Sequence, residues 1–186
     1  MAEPGSPTDL AWLDSLFRPP ASITVLVGPS GSGKTVLCQR AARVARAAGR
    51  DVRGVISPRR YDGAGVRVGI DLLDPATGQR WELAERTAPD PLTGRSWRFV
   101  PEALARGAAL LAGSGPCDLL IVDELGPLEL LEGQGWANAL DILRAGAYRR
   151  ALVVVRPGLL PVLLERLEPL PLHTLWLPGP GQGQAP

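Results

Sequence analysis

Lysine is almost absent from this chain. Of its 20 basic residues one is lysine, Lys34, so the other 19 are arginine. Cysteine and histidine are nearly as scarce. Cys38 and Cys117 have no CxxC partner, and the single histidine, His173, cannot complete a zinc site. The two thiols are expected as small buried residues of a reducing compartment. A net charge of +1 leaves no global field to draw in nucleic acid or an acidic membrane. No apolar run approaches the ~20 residues of a membrane-spanning helix. MAEPGSPTDLAWLDSLFRPP, acidic and proline-rich, lacks the basic start and apolar core of a signal peptide. A cytoplasmic protein is expected, with no nucleic-acid or membrane partner and with a monomer favoured.

What is present fits one globular domain: 186 residues, 45% of them hydrophobic. The division expected is a flexible arm over 1–20, a domain over 21–177 and a disordered glycine- and proline-rich tail over 178–186. Within the domain, apolar strands alternate with helices. Strands are predicted at Ile23–Val27, Asp51–Ile56, Cys117–Glu124, Ala151–Val155 and His173–Leu177, and helices at Lys34–Ala48, Pro101–Ala112, Trp136–Ala145 and Gly158–Leu167. Such alternation implies an α/β fold, a mostly parallel sheet flanked by helices on both faces. Val66–Asp71 and Arg80–Ala84 flank a PATG turn and are predicted as a β-hairpin insertion, with a further strand at Ser96–Val100.

The lone lysine sits in GPSGSGKT, Gly28–Thr35, which fits G-x-x-x-x-G-K-[ST] at every fixed position and lies between a predicted strand and a predicted helix. Gly28, Pro29, Ser30, Gly31, Ser32, Gly33, Lys34 and Thr35 are therefore the candidate nucleotide-binding residues. The glycines let the backbone approach a phosphate, and successive N–H groups form an anion nest at a helix N-terminus. Lys34 supplies a compact ammonium to the β- and γ-phosphate oxygens, and the Thr35 hydroxyl ligates Mg2+. A wide arginine fork does not suit such a nest, so pressure toward arginine stops here.

CDLLIVDE, Cys117–Glu124, is the second signal. An apolar strand beside the phosphate-loop strand can deliver Asp123 to Mg2+, directly or through water, and Glu124 to the water that attacks the γ-phosphate. The candidate catalytic residues are thus Glu124, Lys34 and Asp123, with Thr35 and Asp123 as metal ligands. Glu129, further along ELGPLEL, has two equal readings, a catalytic acid or the acid of a helical first turn. DELG resembles a switch-GTPase motif, but a chain with one lysine cannot supply N-K-x-D, and a transporter-type signature is missing. A kinase for a nucleotide or small molecule survives as an alternative, with Arg59, Arg60 and Arg67 as possible phosphate clamps. A binding module is a further alternative, but the charged face of the first helix (Arg40, Arg43, Arg46 and Arg50), opposite Val36, Leu37, Ala41, Val44, Ala45 and Ala48, is what any covering helix shows. His173 is expected as a core or edge histidine, and Trp81 and Trp97 as core filling.

With these residues in view, the chain resembles the small nucleoside-triphosphatase family first known from thermophilic organisms and also found in vertebrates. The resemblance runs from about Ile23 to Arg156. GVISPRRYDGAGVRVGIDLLDPATG, GRSWRFVPEAL and IVDELGPLEL are similar to family segments in the same order, with Ile70 in place of an aromatic and Leu128 in place of methionine. It implies a three-layer recA-like P-loop NTPase fold and slow, Mg2+-dependent hydrolysis of several nucleoside triphosphates to diphosphate and phosphate. It also carries Lys34, Thr35, Asp123 and Glu124 over as site residues. The SPRRYD segment departs from the family pattern, so neither Arg59 nor Arg60 receives a role. The P-loop adaptor proteins of molybdopterin dinucleotide assembly are the nearest alternative of the same fold. No arginine finger is evident; Arg144, Arg149, Arg150 and Arg156 are candidates by position only.

Overall fold

A computed structural model describes residues 23–89 and 96–179. The expected arm and nearly all of the expected tail lie outside these residues. Five strands form one wholly parallel sheet in the order β2-β7-β8-β1-β9: β1 (Ile23–Val27), β2 (Val52–Val55), β7 (Cys117–Leu125), β8 (Tyr148–Val155) and β9 (Leu172–Trp176). Between β2 and β7 the chain builds a second, antiparallel sheet of β3 (Arg59–Tyr61), β4 (Arg67–Leu73), β5 (Arg80–Arg86) and β6 (Trp97–Phe99). Paired backbone hydrogen bonds between Ile56 and Leu73 join the two sheets.

Apolar residues at consecutive positions of β1, β7 and β8 face opposite sides of the parallel sheet, and both sides are covered. On one side Leu26, Ile121, Leu152 and Val154 pack with Cys38, Ala41 and Ala42 of α1 (Lys34–Ala47). On the other, Val25, Val27, Leu120, Val122 and Val153 pack with Leu111 of α2 (Pro101–Ala112), Leu140 and Leu143 of α4 (Asn138–Ala145), and Leu163 and Leu167 of α5 (Leu160–Leu167). Each fully buried leucine or isoleucine contributes ~1.5–3 kcal/mol, so the sheet centre anchors the strand ends that carry the site. A short α3 (Pro127–Leu130) follows β7, and a 3-10 turn over Pro157–Leu159 precedes α5.

The three-layer parallel arrangement agrees with the sequence reading. Three details differ. The strand bearing Asp123 is not beside the phosphate-loop strand, because β8 lies between β1 and β7. The expected hairpin is half of a four-stranded sheet, and β3 arises in SPRRYD, for which no strand was expected. Val36, placed by the helical wheel on the sheet face, is 66% exposed. The phosphate loop turns Lys34 inward, and the buried positions then run Lys34, Cys38, Ala41, Ala42, the i, i+4, i+7, i+8 stripe of that phase. His173 stands exposed on the edge strand β9. Both cysteines are buried, and burial raises both thiol pKa values, that of Cys117 to about 11. Among the described residues no helix is long and apolar enough to cross a membrane.

Candidate active site

In a parallel sheet every strand points its C-terminal end to the same edge, and the loops there gather functional groups. Here the residues following β1, β2 and β8, with the last residues of β7, meet at that edge. Gly28 leaves β1 in a place with no room for a side chain: a Cβ there would stand 2.6 Å from Ser32 Oγ and 2.8 Å from the Leu177 carbonyl oxygen. Gly33 enters α1 with φ +87°, the left-handed region that favours glycine. Pro29, Ser30, Gly31 and Gly33 are exposed along the loop.

Lys34 lies beneath this loop, 5% exposed. Its ammonium donates to the Gly28 carbonyl at 2.6 Å, the Pro29 carbonyl at 2.8 Å and Ser32 Oγ at 3.3 Å. An ammonium has three donors, and each has found an acceptor. Burial holds the Lys34 pKa below the usual range; Glu124 and Asp123 oppose this, while Arg156 and Arg59 add to it.

Asp123 is 1% exposed. Its Oδ1 accepts from the Thr35 hydroxyl at 3.3 Å and its Oδ2 from the Ser57 N–H at 3.2 Å, while the Ser57 hydroxyl donates to the Asp123 carbonyl. Burial pushes the carboxyl up to about 6; the Ser57 N–H works against this, the nearby Glu124 charge adds to it, and Thr35 and Lys34 oppose it. Asp123 and Glu124 fall where the β7–β8 register slips, between Val122 and Leu125. Glu124 Oε1 accepts from Arg156 Nε at 2.7 Å.

The structure therefore brings together Lys34, Thr35, Asp123 and Glu124, as expected, and adds three groups that the sequence reading did not assign. Ser57 holds Asp123. Arg59 donates to Ser30 Oγ at 3.0 Å, reaching the phosphate loop from β3. Arg156, one of four arginines named by position, is the one at the site; Arg144 binds the Arg166 carbonyl and Asp141, and Arg149 faces Asp118. The remaining suggested clamps have other work. Arg60 pairs with Glu82 and Asp71, and the Arg67 guanidinium lies 4.4 Å from the Trp97 ring centroid. Glu129 follows its structural reading: it accepts from the Gly126 N–H at 2.9 Å and the Trp136 N–H at 3.2 Å, closing the turn after β7. One signal could have found Ser57 and Arg156. Both directly follow the apolar ends of predicted parallel strands.

Comparison with known proteins decides the family. The NTPase family profile matches residues 23–173. The chain belongs to that family. It is 34% identical over 134 residues to the nucleoside-triphosphatase THEP1 of Methanopyrus kandleri, covering 70% of this chain and 71% of that one. It is 32% identical over 151 residues to the nucleoside-triphosphatase THEP1 of Hyperthermus butylicus, covering 80% and 79%. The fold is similar to the crystal structure of THEP1 from the hyperthermophile Aquifex aeolicus, with a TM-score of 0.60 at 14% identity, over 84% of this chain and 90% of that one. The parallel sheet with helices on both faces is thus a P-loop NTPase fold.

Proposed function

We propose that this chain hydrolyses nucleoside triphosphates to diphosphate and phosphate, with Mg2+, slowly and with broad base preference. The observation that supports this most is the meeting, at one edge of the parallel sheet, of the Lys34 ammonium, the Thr35–Asp123 hydrogen bond and the Glu124 carboxylate, whose charges are felt by one another. In this reading Gly28–Thr35 wraps the phosphates, its N–H groups and the α1 N-terminus favouring the anion. Lys34 exchanges carbonyl partners for the bridging region between the β- and γ-phosphates.

Thr35 and Asp123 fit Mg2+. They offer hard oxygen donors, and a carboxylate whose burial raises its pKa to about 6 gains from a nearby divalent charge. Mg2+ held there supplies positive charge to the phosphates as negative charge builds on them. Ser57 fixes the Asp123 carboxylate so that it keeps one orientation. Glu124 accepts a proton from water. The water oxygen bonds to the γ-phosphorus, the bond from that phosphorus to the β–γ bridging oxygen breaks, and the diphosphate leaves with the electron pair.

Phosphate release from ATP, GTP, CTP and UTP, with Mg2+ and with a chelator, tests the reading. More than one nucleotide should be hydrolysed, and chelation should abolish release. Glu124→Gln should keep binding and lose turnover, and Lys34→Ala should weaken binding itself. If phosphate leaves the nucleotide only after an acceptor molecule is added, the hydrolase reading fails and a kinase takes its place.

A further inference from the structure

The Glu124–Arg156 pair joins two groups of opposite use. Glu124 is the last residue but one of β7 and Arg156 follows β8, the neighbouring strand of the sheet, and Nε to Oε1 is 2.7 Å. A general base needs a carboxylate oxygen turned to water, yet here one oxygen is held by a guanidinium. The side chains are 27% and 57% exposed, and an ion pair so open to solvent is weak and exchangeable. Two other cations described at this edge rest on neutral oxygens: Lys34 on Gly28, Pro29 and Ser32, and Arg59 on Ser30. Arg156 alone among the three is partnered by a carboxylate that the proposed reaction uses. Its charge also reaches the Lys34 ammonium, where it helps lower that pKa, which sets the guanidinium within the same field as the phosphate loop.

We propose that Arg156 senses the γ-phosphate: it leaves Glu124 for the terminal phosphate of a bound nucleoside triphosphate, and this exchange frees Glu124 to take a proton from water. The proposal rests on the hydrolase reading above. A phosphate dianion offers a guanidinium two parallel charge-assisted hydrogen bonds, a better partner than one oxygen of an exposed carboxylate. A diphosphate ends one phosphate short of Glu124 and leaves the pair closed. The site then discriminates substrate from product, and its base opens only when a γ-phosphate is present. Because opening the pair is part of binding, the pair lowers the apparent triphosphate affinity by the fraction of molecules in which it is closed.

The test is a double-mutant cycle on binding. Dissociation constants for a β,γ-imido triphosphate and for the diphosphate are measured by calorimetry with wild type, Arg156→Ala, Glu124→Gln and the double variant, alongside kcat and KM. Arg156→Ala should weaken triphosphate binding ~10–100-fold, the worth of a lost charged hydrogen bond, and lower kcat, with diphosphate affinity within about twofold. Glu124→Gln should tighten triphosphate binding several-fold in the Arg156 background and not in the Arg156→Ala background. Arg156→Lys, which keeps the charge and loses the fork, should fall between. Both sites are partly exposed, and unchanged melting temperatures confirm that the variants fold. If Arg156→Ala weakens tri- and diphosphate equally, or if Glu124→Gln tightens binding in both backgrounds, the exchange is wrong. A wild-type protein that binds the triphosphate with the preference lost in Arg156→Ala, but releases no phosphate, sinks the hydrolase reading and leaves the sensor standing.

Discussion

Asp123 carries the largest working cost at the site, and Asp123→Asn measures it. The carboxyl is 1% exposed and is pushed from an ordinary 3.8 up to about 6 by burial, only partly offset by the Ser57 N–H. The folded protein therefore holds this proton more tightly than the unfolded chain does. The penalty for ionising Asp123 is absent below its unfolded pKa of 3.8, grows as pH rises toward about 6, and is complete above that. From 3.8 to about 6 it amounts to about 3 kcal/mol. Asparagine keeps the shape and an acceptor for the Ser57 N–H and removes the charge. In a chelator at pH 7 the variant should be more stable by up to about 3 kcal/mol, roughly 6–12 °C in melting temperature for a domain of this size. At pH 5 roughly half of that gap should remain, and below pH 4 very little. Titrating groups not coupled to the Asp123 charge, such as Glu129 with its raised pKa, are shared by both proteins and cancel in the difference, while the nearby Glu124 and Lys34 charges already form part of the Asp123 shift. The assay is paired thermal melts from pH 4 to 8. An Asp123→Asn protein no more stable than wild type at pH 7, or a gap that stays constant down to pH 5, refutes the argument that this carboxylate is held at a cost for metal binding.

Gly28→Ala drives a methyl against Ser32 Oγ and the Leu177 carbonyl. It should weaken triphosphate binding by about tenfold or more, equivalent to ~1.4 kcal/mol, as read by a fluorescent nucleotide titration. Ser57→Ala removes the hydroxyl bond to the Asp123 carbonyl but keeps the N–H on the carboxylate; a stability loss of about 1 kcal/mol in urea is expected, with kcat falling more than KM rises. Glu129→Ala orphans the Gly126 and Trp136 N–H groups and should cost roughly 2–4 kcal/mol in urea unfolding, whereas Glu129→Gln should recover part of it by keeping an acceptor. Cys38, wholly buried, and Cys117, 8% exposed, should react with a thiol reagent at the rate of unfolding; immediate labelling of either would contradict the packing of α1 and β7.

The parts that were legible in the sequence were those whose local pattern already contains the answer. β1 and α1 are marked by the glycines and lysine between them, β7 by an apolar run ending in two acids, and α2 by a proline at its first position followed by a helical stripe. β3 was not legible, because Arg-Arg-Tyr is short, charged and exposed at an edge, and its strand character comes wholly from pairing with β4. Arg156 was not legible for a different reason. In the sequence it closes an apolar strand ahead of Pro157, one arginine among 19. It meets Glu124 only because β8 pairs with β7 on one side and β1 on the other, an order that the strands' own residues do not encode.

Burial explains why the single lysine survives where arginine is used everywhere else. Lys34 is buried beneath a loop that offers it the Gly28 and Pro29 carbonyls and the Ser32 hydroxyl, three acceptors for three donors. A guanidinium brings five donors in a fixed plane and would leave some of them unpaired in that space. Arg59 and Arg156 occupy the rim instead, where open geometry suits a fork and where one of them meets the carboxylate that it is proposed to release. Replacing Lys34 with arginine would thus cost more at this position than at any exposed basic site. The division of labour, a point charge inside the loop and forks at its edge, follows from the burial of each position and not from the overall composition.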